Sequence, residues 1–90
     1  MTHELKILPQ YFNDIITGHK RFELRKDDRG FAKGDTLRLR LYDQKEGYLG
    51  PVVRAEIDYI LRDVPEYGLM EGYAILGIHK IRIEDWWRKT

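Results

Sequence analysis

The sequence predicts an α+β fold: a small β-barrel of about five strands, mixed or antiparallel, with one short helix capping it. Apolar and polar residues alternate in several short blocks, the period-two signature of half-buried strands. One block, Tyr11, Phe12, Ile15 and Ile16, follows helical spacing instead. The chain has 90 residues with no internal repeat or low-complexity segment, so residues 1–90 form a single domain. A chain this short buries roughly 60–65% of its unfolded surface. Its apolar content of 42% is enough for one core.

His3 to Leu8 reads as the first strand, with Leu5 and Ile7 alternating against Glu4 and Lys6. Pro9 suits the first turn of a helix, where its missing N–H costs nothing. The helix runs over Pro9–Thr17 and plugs one mouth of the barrel, and Gly18 ends it in the left-handed conformation. Arg21 to Arg25 is a strand with Phe22 and Leu24 on one face and Arg21, Glu23 and Arg25 on the other. The apolar pair is assigned to the core, and Glu23 and Arg25 to a groove. Lys20 has the wrong parity for that face and lies in the turn after the helix.

Lys26 to Gly30 is a charged turn, Phe31 folds back onto the core, and Lys33-Gly34-Asp35 is a second turn. Leu37, Leu39 and Leu41 alternate with Arg38, Arg40 and Tyr42, a strand with one buried face. Gln44 to Pro51 is a glycine-punctuated loop with Tyr48 exposed in its middle. Val53 to Leu61 carries the cleanest alternation in the chain. Asp63 to Gly72 is irregular, with one helical turn around Glu66 to Met70. Tyr73 to Ile78 is apolar on both faces, which predicts a central strand covered on both sides, extended by Lys80 to Ile83.

Several function classes are excluded or disfavoured by composition. There are no cysteines, so disulfides, thiolate metal sites and a cysteine nucleophile are all impossible. No apolar run approaches the roughly 20 residues of a membrane span, and no signal-peptide core is present. The expectation is a soluble cytoplasmic domain that engages no membrane. His3, His19 and His79 lack ligand spacing, Asp27-Asp28 lacks the remaining ligands of a calcium loop, and no glycine loop cradles phosphate. No metal or cofactor is expected. His3 and His79 are expected on neighbouring strands, as core or rim packing.

Net charge is +1, from 16 Lys/Arg against 15 Asp/Glu. Residues 1–45 hold ten Lys/Arg and seven Asp/Glu, and residues 46–90 hold six and eight, so the two halves differ in sign. A broad phosphate-neutralising field is therefore excluded, and nucleic acid can be held only by a local patch with few phosphate contacts.

The stretch Gly18-His19-Lys20-Arg21-Phe22-Glu23-Leu24-Arg25 concentrates charge at the helix–strand corner. Lys20 and Arg25 beside a helix end can hold a phosphate or carboxylate, with Glu23 fixing them or accepting from a base amino group. The same residues can equally form an ion pair that locks the corner. Arg38 and Arg40 share an outward face with Tyr42, a basic–aromatic strip, and an ordinary solvated face explains that pattern as well. Tyr42, Tyr48 and Tyr73 are candidates to stack an unpaired base. Trp86 and Trp87 either cap the barrel or meet a partner.

Gly18, Lys20, Glu23 and Arg25 spell G-x-K-x-x-E-x-R, which resembles the signature of the ASCH domains, PUA-like β-barrels regarded as RNA-binding. The likeness extends through His3 to Pro9, Phe31 to Asp35 and Gly72 to Ile78. These stretches resemble a small ASCH/PUA-like family of bacterial and phage proteins of unassigned function. The resemblance implies a PUA-like barrel that holds single-stranded RNA or a nucleotide-like small molecule on Lys20, Glu23, Arg25, Arg38, Arg40, Tyr42 and Tyr73. Some ASCH relatives are similar to amidohydrolases of acylated cytidine or are linked to RNA cleavage, which implies an alternative: a small hydrolase with Lys20 and Glu23 as catalytic residues. In the amidohydrolase pattern a Thr follows the Lys, and here Glu23 stands in its place. Glu66 or Glu71 is left to supply the later acid. A third class is a protein–protein adaptor built on the two tryptophans and the Tyr48 loop.

Overall fold

The computed structural model describes residues 1–84. Strands form wherever the sequence alternates: β1 (Thr2–Ile7), β2 (Phe22–Lys26), β3 (Thr36–Asp43), β4 (Gly47–Leu61) and β5 (Tyr73–Ile83). The helix α1 (Pro9–Ile16) follows β1 directly, and a single 3-10 turn, Pro65–Tyr67, interrupts the segment between β4 and β5. The strands form one sheet in the order β1-β3-β4-β5-β2. β1 runs parallel to β3 and every other pair is antiparallel, so the sheet is mixed. It curls into a half-barrel with one short helix, a small α+β barrel-like fold.

The concave side holds the core. Leu5 and Ile7 from β1, Leu37 and Leu39 from β3, Val53, Ala55 and Ile57 from β4, and Ala74, Leu76 and Ile78 from β5 are all buried there. The helix packs against β3 and β5 and inserts Phe12 and Ile15. Tyr11 and Ile16, the other two members of its apolar stripe, stay partly exposed. Gly18 leaves the helix at φ +82°, the left-handed conformation that a side chain would disfavour. Phe31 folds back onto the core as the alternation breaks, its ring meeting the edge of His3 at 4.7 Å.

Four sequence expectations are corrected. The predicted loop over Gln44–Pro51 is mostly strand: Asp43 pairs with Gly47 and Tyr42 with Tyr48 across a tight hairpin. The Asp43 carboxylate accepts the N–H groups of Lys45 and Glu46 at 2.7 and 3.0 Å, so the turn closes early and β4 starts at Gly47. His3 and His79 are not neighbours, because β3 and β4 lie between β1 and β5. Third, β2 is inverted. Phe22 and Leu24 are 46% and 56% exposed, while Glu23 is 3% exposed. The antiparallel register sets Glu23 opposite Leu76 and Arg25 opposite Ala74, both inward-facing residues of β5, and directly opposed residues share a face. Alternation fixes which residues share a face and leaves open which face points inward.

The same inversion bears on β5. Ala74, Leu76 and Ile78 are buried, whereas Tyr73, Ile75 and Gly77 are only half-buried. The strand lies between two others, but it is covered on one side and not on both.

Asp35 fastens the entry to β3. Its carboxylate accepts from His3 Nε2 at 2.8 Å, the Ala32 N–H at 3.0 Å and the Met1 amine at 3.2 Å. Its carbonyl accepts the Ile57 N–H at 2.8 Å. The His3 hydrogen bond, helped by the Ala32 amide, holds the carboxyl below its ordinary 3.8, at about 2. A depressed folded value stabilises the fold above the ordinary value, and that contribution disappears as pH falls from about 4 towards 2. Thermal melts of Asp35→Asn should therefore show a flatter acid limb over that interval than the parent protein, and an unchanged limb would contradict this assignment.

Burial sets the expected cost of truncating each leucine. Leu39→Ala should destabilise by about 2–5 kcal/mol, as fully buried leucines do. Leu24→Ala should cost under about 1 kcal/mol, because its side chain already lies in water. Chemical denaturation of the two variants checks the inversion of β2, which requires Leu39→Ala to cost clearly more.

Candidate functional site

The half-barrel leaves a seam between its edge strands, β1 and β2. Antiparallel pairing alternates backbone groups between the two sides of a strand. The Arg21 carbonyl accepts the Ile78 N–H at 3.0 Å and the Asp27 N–H donates to the Gly72 carbonyl at 2.8 Å. Odd-numbered residues of β2 thus bond to β5, and the backbones of Phe22, Leu24 and Lys26 face the seam. On β1, the Met1 carbonyl accepts the Thr36 N–H, so odd residues face β3 and the carbonyls of Glu4 and Lys6 face the seam. Two guanidinium groups bridge it. Arg25 Nη2 donates to the Lys6 carbonyl at 2.6 Å and Arg29 Nη1 to the Glu4 carbonyl at 3.0 Å.

Glu23 sits beneath this bridge with Lys20 and Arg25 on either side. Its Oε1 accepts from Arg25 Nη2 at 2.7 Å and Nε at 3.2 Å, and its Oε2 accepts from Lys20 Nζ. The Lys20 ammonium also donates to the Phe22 carbonyl at 2.8 Å. It lies 4.9 Å from the Phe22 ring centre and 5.4 Å from that of Tyr11. The turn that delivers Lys20 is held by the Asp14 carbonyl, which accepts both the His19 and Lys20 N–H groups at 2.9 Å. Together with Lys6, Ile7, Leu8 and Leu24 these residues line a groove of about 410 Å³.

Lys20, Glu23 and Arg25 therefore converge, but as a closed ion cluster. Both Glu23 oxygens accept hydrogen bonds from cations, which fixes the carboxylate between Lys20 and Arg25. The donors left over are the third N–H of Lys20 and those of Arg25 Nη1, which makes no hydrogen bond among the described residues.

A second groove of about 410 Å³ adjoins the first and shares Lys6 and Arg25 with it. Its other lining residues are Glu4, Leu5, Arg29, Arg40 and Tyr48. Parallel register sets Lys6 beside Arg40 on the outward face of β1 and β3. Lys6 Nζ stands 4.3 Å from the Tyr42 ring centre, and the Arg40 guanidinium lies 3.8 Å from that of Tyr48. The two tyrosine rings meet edge to face at 5.2 Å. Tyr42 shares the outward face of Arg40, as the alternation predicts, but it is not among the residues lining either groove, where Tyr48 from β4 stands instead.

The remaining candidates lie elsewhere. Arg38 donates to both oxygens of Glu84, at 2.9 and 2.6 Å, and to Glu4, and Glu84 first and then Glu4 raise its pKa further. It belongs to a neutralised network and lines neither groove. Tyr73 stands opposite Lys26 at the far end of β2. Glu66 and Glu71 are exposed and line neither groove. Trp86 and Trp87 lie outside the described residues. Among the described residues no three His, Asp or Glu side chains gather as metal ligands, and no helix is long and apolar enough to cross a membrane. Lys6, Tyr11 and Arg29 were missed from the sequence. The parallel β1–β3 pairing brings in Lys6 and the reach across the seam brings in Arg29, neither with a local signal. Tyr11 enters from the exposed edge of the helix's apolar stripe beside Lys20.

Comparison with known proteins places these residues in a family. The family model described as a domain of unknown function, DUF3850, matches residues 2–78, which include every residue lining the two grooves. The chain is also 37% identical over 79 residues to a protein of Escherichia phage P2 called an uncharacterized 12.9 kDa protein in the GpA 3′ region. That match covers 88% of this chain and 67% of the phage protein. The chain belongs to the DUF3850 family.

Proposed function

We propose that this domain is a PUA-like binding module that holds a single-stranded RNA segment or a nucleotide along the seam of its half-barrel. The observation that supports this most is the continuity of the two grooves. They share Lys6 and Arg25, and so run from Tyr11, Lys20 and Phe22 past the seam to Arg29, Arg40 and Tyr48. Cations alternate with aromatic rings along that path. Unpaired bases stack on aromatic faces and guanidinium planes, and phosphates pair with lysine and arginine. The resemblance of Gly18, Lys20, Glu23 and Arg25 to the ASCH signature points the same way.

Charge supports a local contact over a broad one. Lys6 has no carboxylate partner among the described residues, and Arg40 approaches Glu4 only to 3.7 Å. Lys6, Arg29 and Arg40 thus supply about three phosphate contacts. Glu23 keeps Lys20 and Arg25 in fixed positions. The hydrolase reading gains less, because Glu23 replaces the Thr of that pattern and has both oxygens bound to cations.

Titration of single-stranded RNA and its matching duplex at several salt concentrations tests the proposal. The single strand should bind more tightly, since only a splayed base can enter grooves of this size. Three phosphate contacts give a log–log salt slope of about −2, and Lys6→Ala should reduce it by about 0.7. Tyr48→Leu should weaken binding by roughly tenfold, as the loss of one stacked base does. Equal affinity for strand and duplex, or unchanged binding in both variants, would discard the reading.

A further inference from the structure

The geometry points to a cradle for a terminal phosphate monoester in the second groove, made by Arg25, Arg29, Lys6 and Arg40. The inference rests on the binding reading above and names the part of the ligand held most firmly. Arg25 and Arg29 are anchored on the carbonyls of Lys6 and Glu4, two residues apart on the same strand edge. That spacing fixes their anchor points roughly 7 Å apart. A tetrahedral phosphate accepting from two guanidinium groups, one on each side, spans a similar distance at ordinary hydrogen-bond lengths.

Neither guanidinium is used up by its anchor. Arg29 bonds through Nη1 alone, and Arg25 Nη1 makes no bond among the described residues. Lys6 and Arg40, paired in register, close the outward side of the same groove. Two carboxylates offset the four cations: Glu23, bound to Arg25, and Glu4, with Arg38 bound to one of its oxygens and Arg40 3.7 Å from the other. The groove therefore carries an excess of positive charge over a volume of about 410 Å³. An internal phosphodiester brings a single charge, whereas a terminal monoester brings about −1.5 to −2 at neutral pH and three acceptor oxygens. The monoester matches this concentration of donors better.

A phosphate monoester can come from the end of an RNA strand or from a free nucleotide. The test uses one short single-stranded RNA in three forms, with a 5′-phosphate, with a 3′-phosphate and with hydroxyls at both ends, together with a nucleoside monophosphate. One phosphorylated form should bind at least about tenfold more tightly than the hydroxyl form. Arg29→Ala should abolish the difference, so that the phosphorylated and hydroxyl forms bind this variant with the same affinity. Arg29→Lys should restore only part of it, because an ammonium cannot bind the phosphate through a planar fork. Thermal melts of both variants exclude unfolding as the cause. Nucleotide affinity that matches the phosphorylated strand and also falls in Arg29→Ala would support the cradle with the free nucleotide as its source. Equal affinity of all three RNA forms would overturn the cradle and leave the groove reading standing. Failure of every RNA form and of the nucleotide to bind would overturn both.

Discussion

Glu23 is a carboxylate with 3% of its surface exposed, placed on the inward face of an edge strand. An unpaired charge in that position is prohibitive, so its environment must provide cations that also hydrogen-bond. Lys20 and Arg25 meet that requirement, and much of the local architecture follows from where each has to be. Lys20 must leave α1 through the tight Gly18 turn to approach Oε2, and Arg25 must lie flat across Oε1. Lying there, Arg25 reaches the Lys6 carbonyl and joins the two free edges of the sheet. One buried charge thus orients the helix exit, the parity of β2 and the closure of the half-barrel.

The placement also resolves a conflict in the sequence. Phe22 and Leu24 look like core residues, yet a strand can send only one face inward. If they pointed in, Glu23 and Arg25 would turn together to the opposite face, and Arg25 could not bridge to β1 from there. The loss of two apolar side chains from the core is offset by a satisfied ion cluster and a bridged edge. Among the described residues no buried side-chain nitrogen or oxygen is left without a partner.

How much was legible follows the range of each signal. The helix, its Gly18 stop and the alternating strands β1, β3 and the body of β4 depend on neighbours within a few residues, so the sequence displays them directly. The grouping of Lys20, Glu23 and Arg25 was legible for the same reason. What was not legible is set by pairing over long separations. The parallel alignment of β1 with β3 brings Lys6 to Arg40 and Tyr42, and the reach of Arg29 to the Glu4 carbonyl spans 25 positions. The inward face of β2 depends on its register with β5, some 50 residues away. The histidines show the same limit: His3 found Asp35 and His79 found Glu56, on strands separated by two others.

Net charge near zero hides a division of labour on the outward face of the sheet. Arg38 and Arg54 are drawn to Glu84, and Arg38 also to Glu4, so the β3–β4 side is largely self-neutralised. Of the carboxylates engaged there, Glu4 also lines the groove that holds Lys6, Arg29 and Arg40. Lys6 and Arg29 are left without a carboxylate partner among the described residues, and Arg40 keeps only its 3.7 Å approach to Glu4. At an effective dielectric typical of protein surfaces, charges a few ångströms apart still interact by several kcal/mol, so this local excess matters far more than the sum over the chain. A nearly neutral domain can in this way present a concentrated cationic site, and it does so where its own sheet is incomplete and backbone edges must be met by side chains.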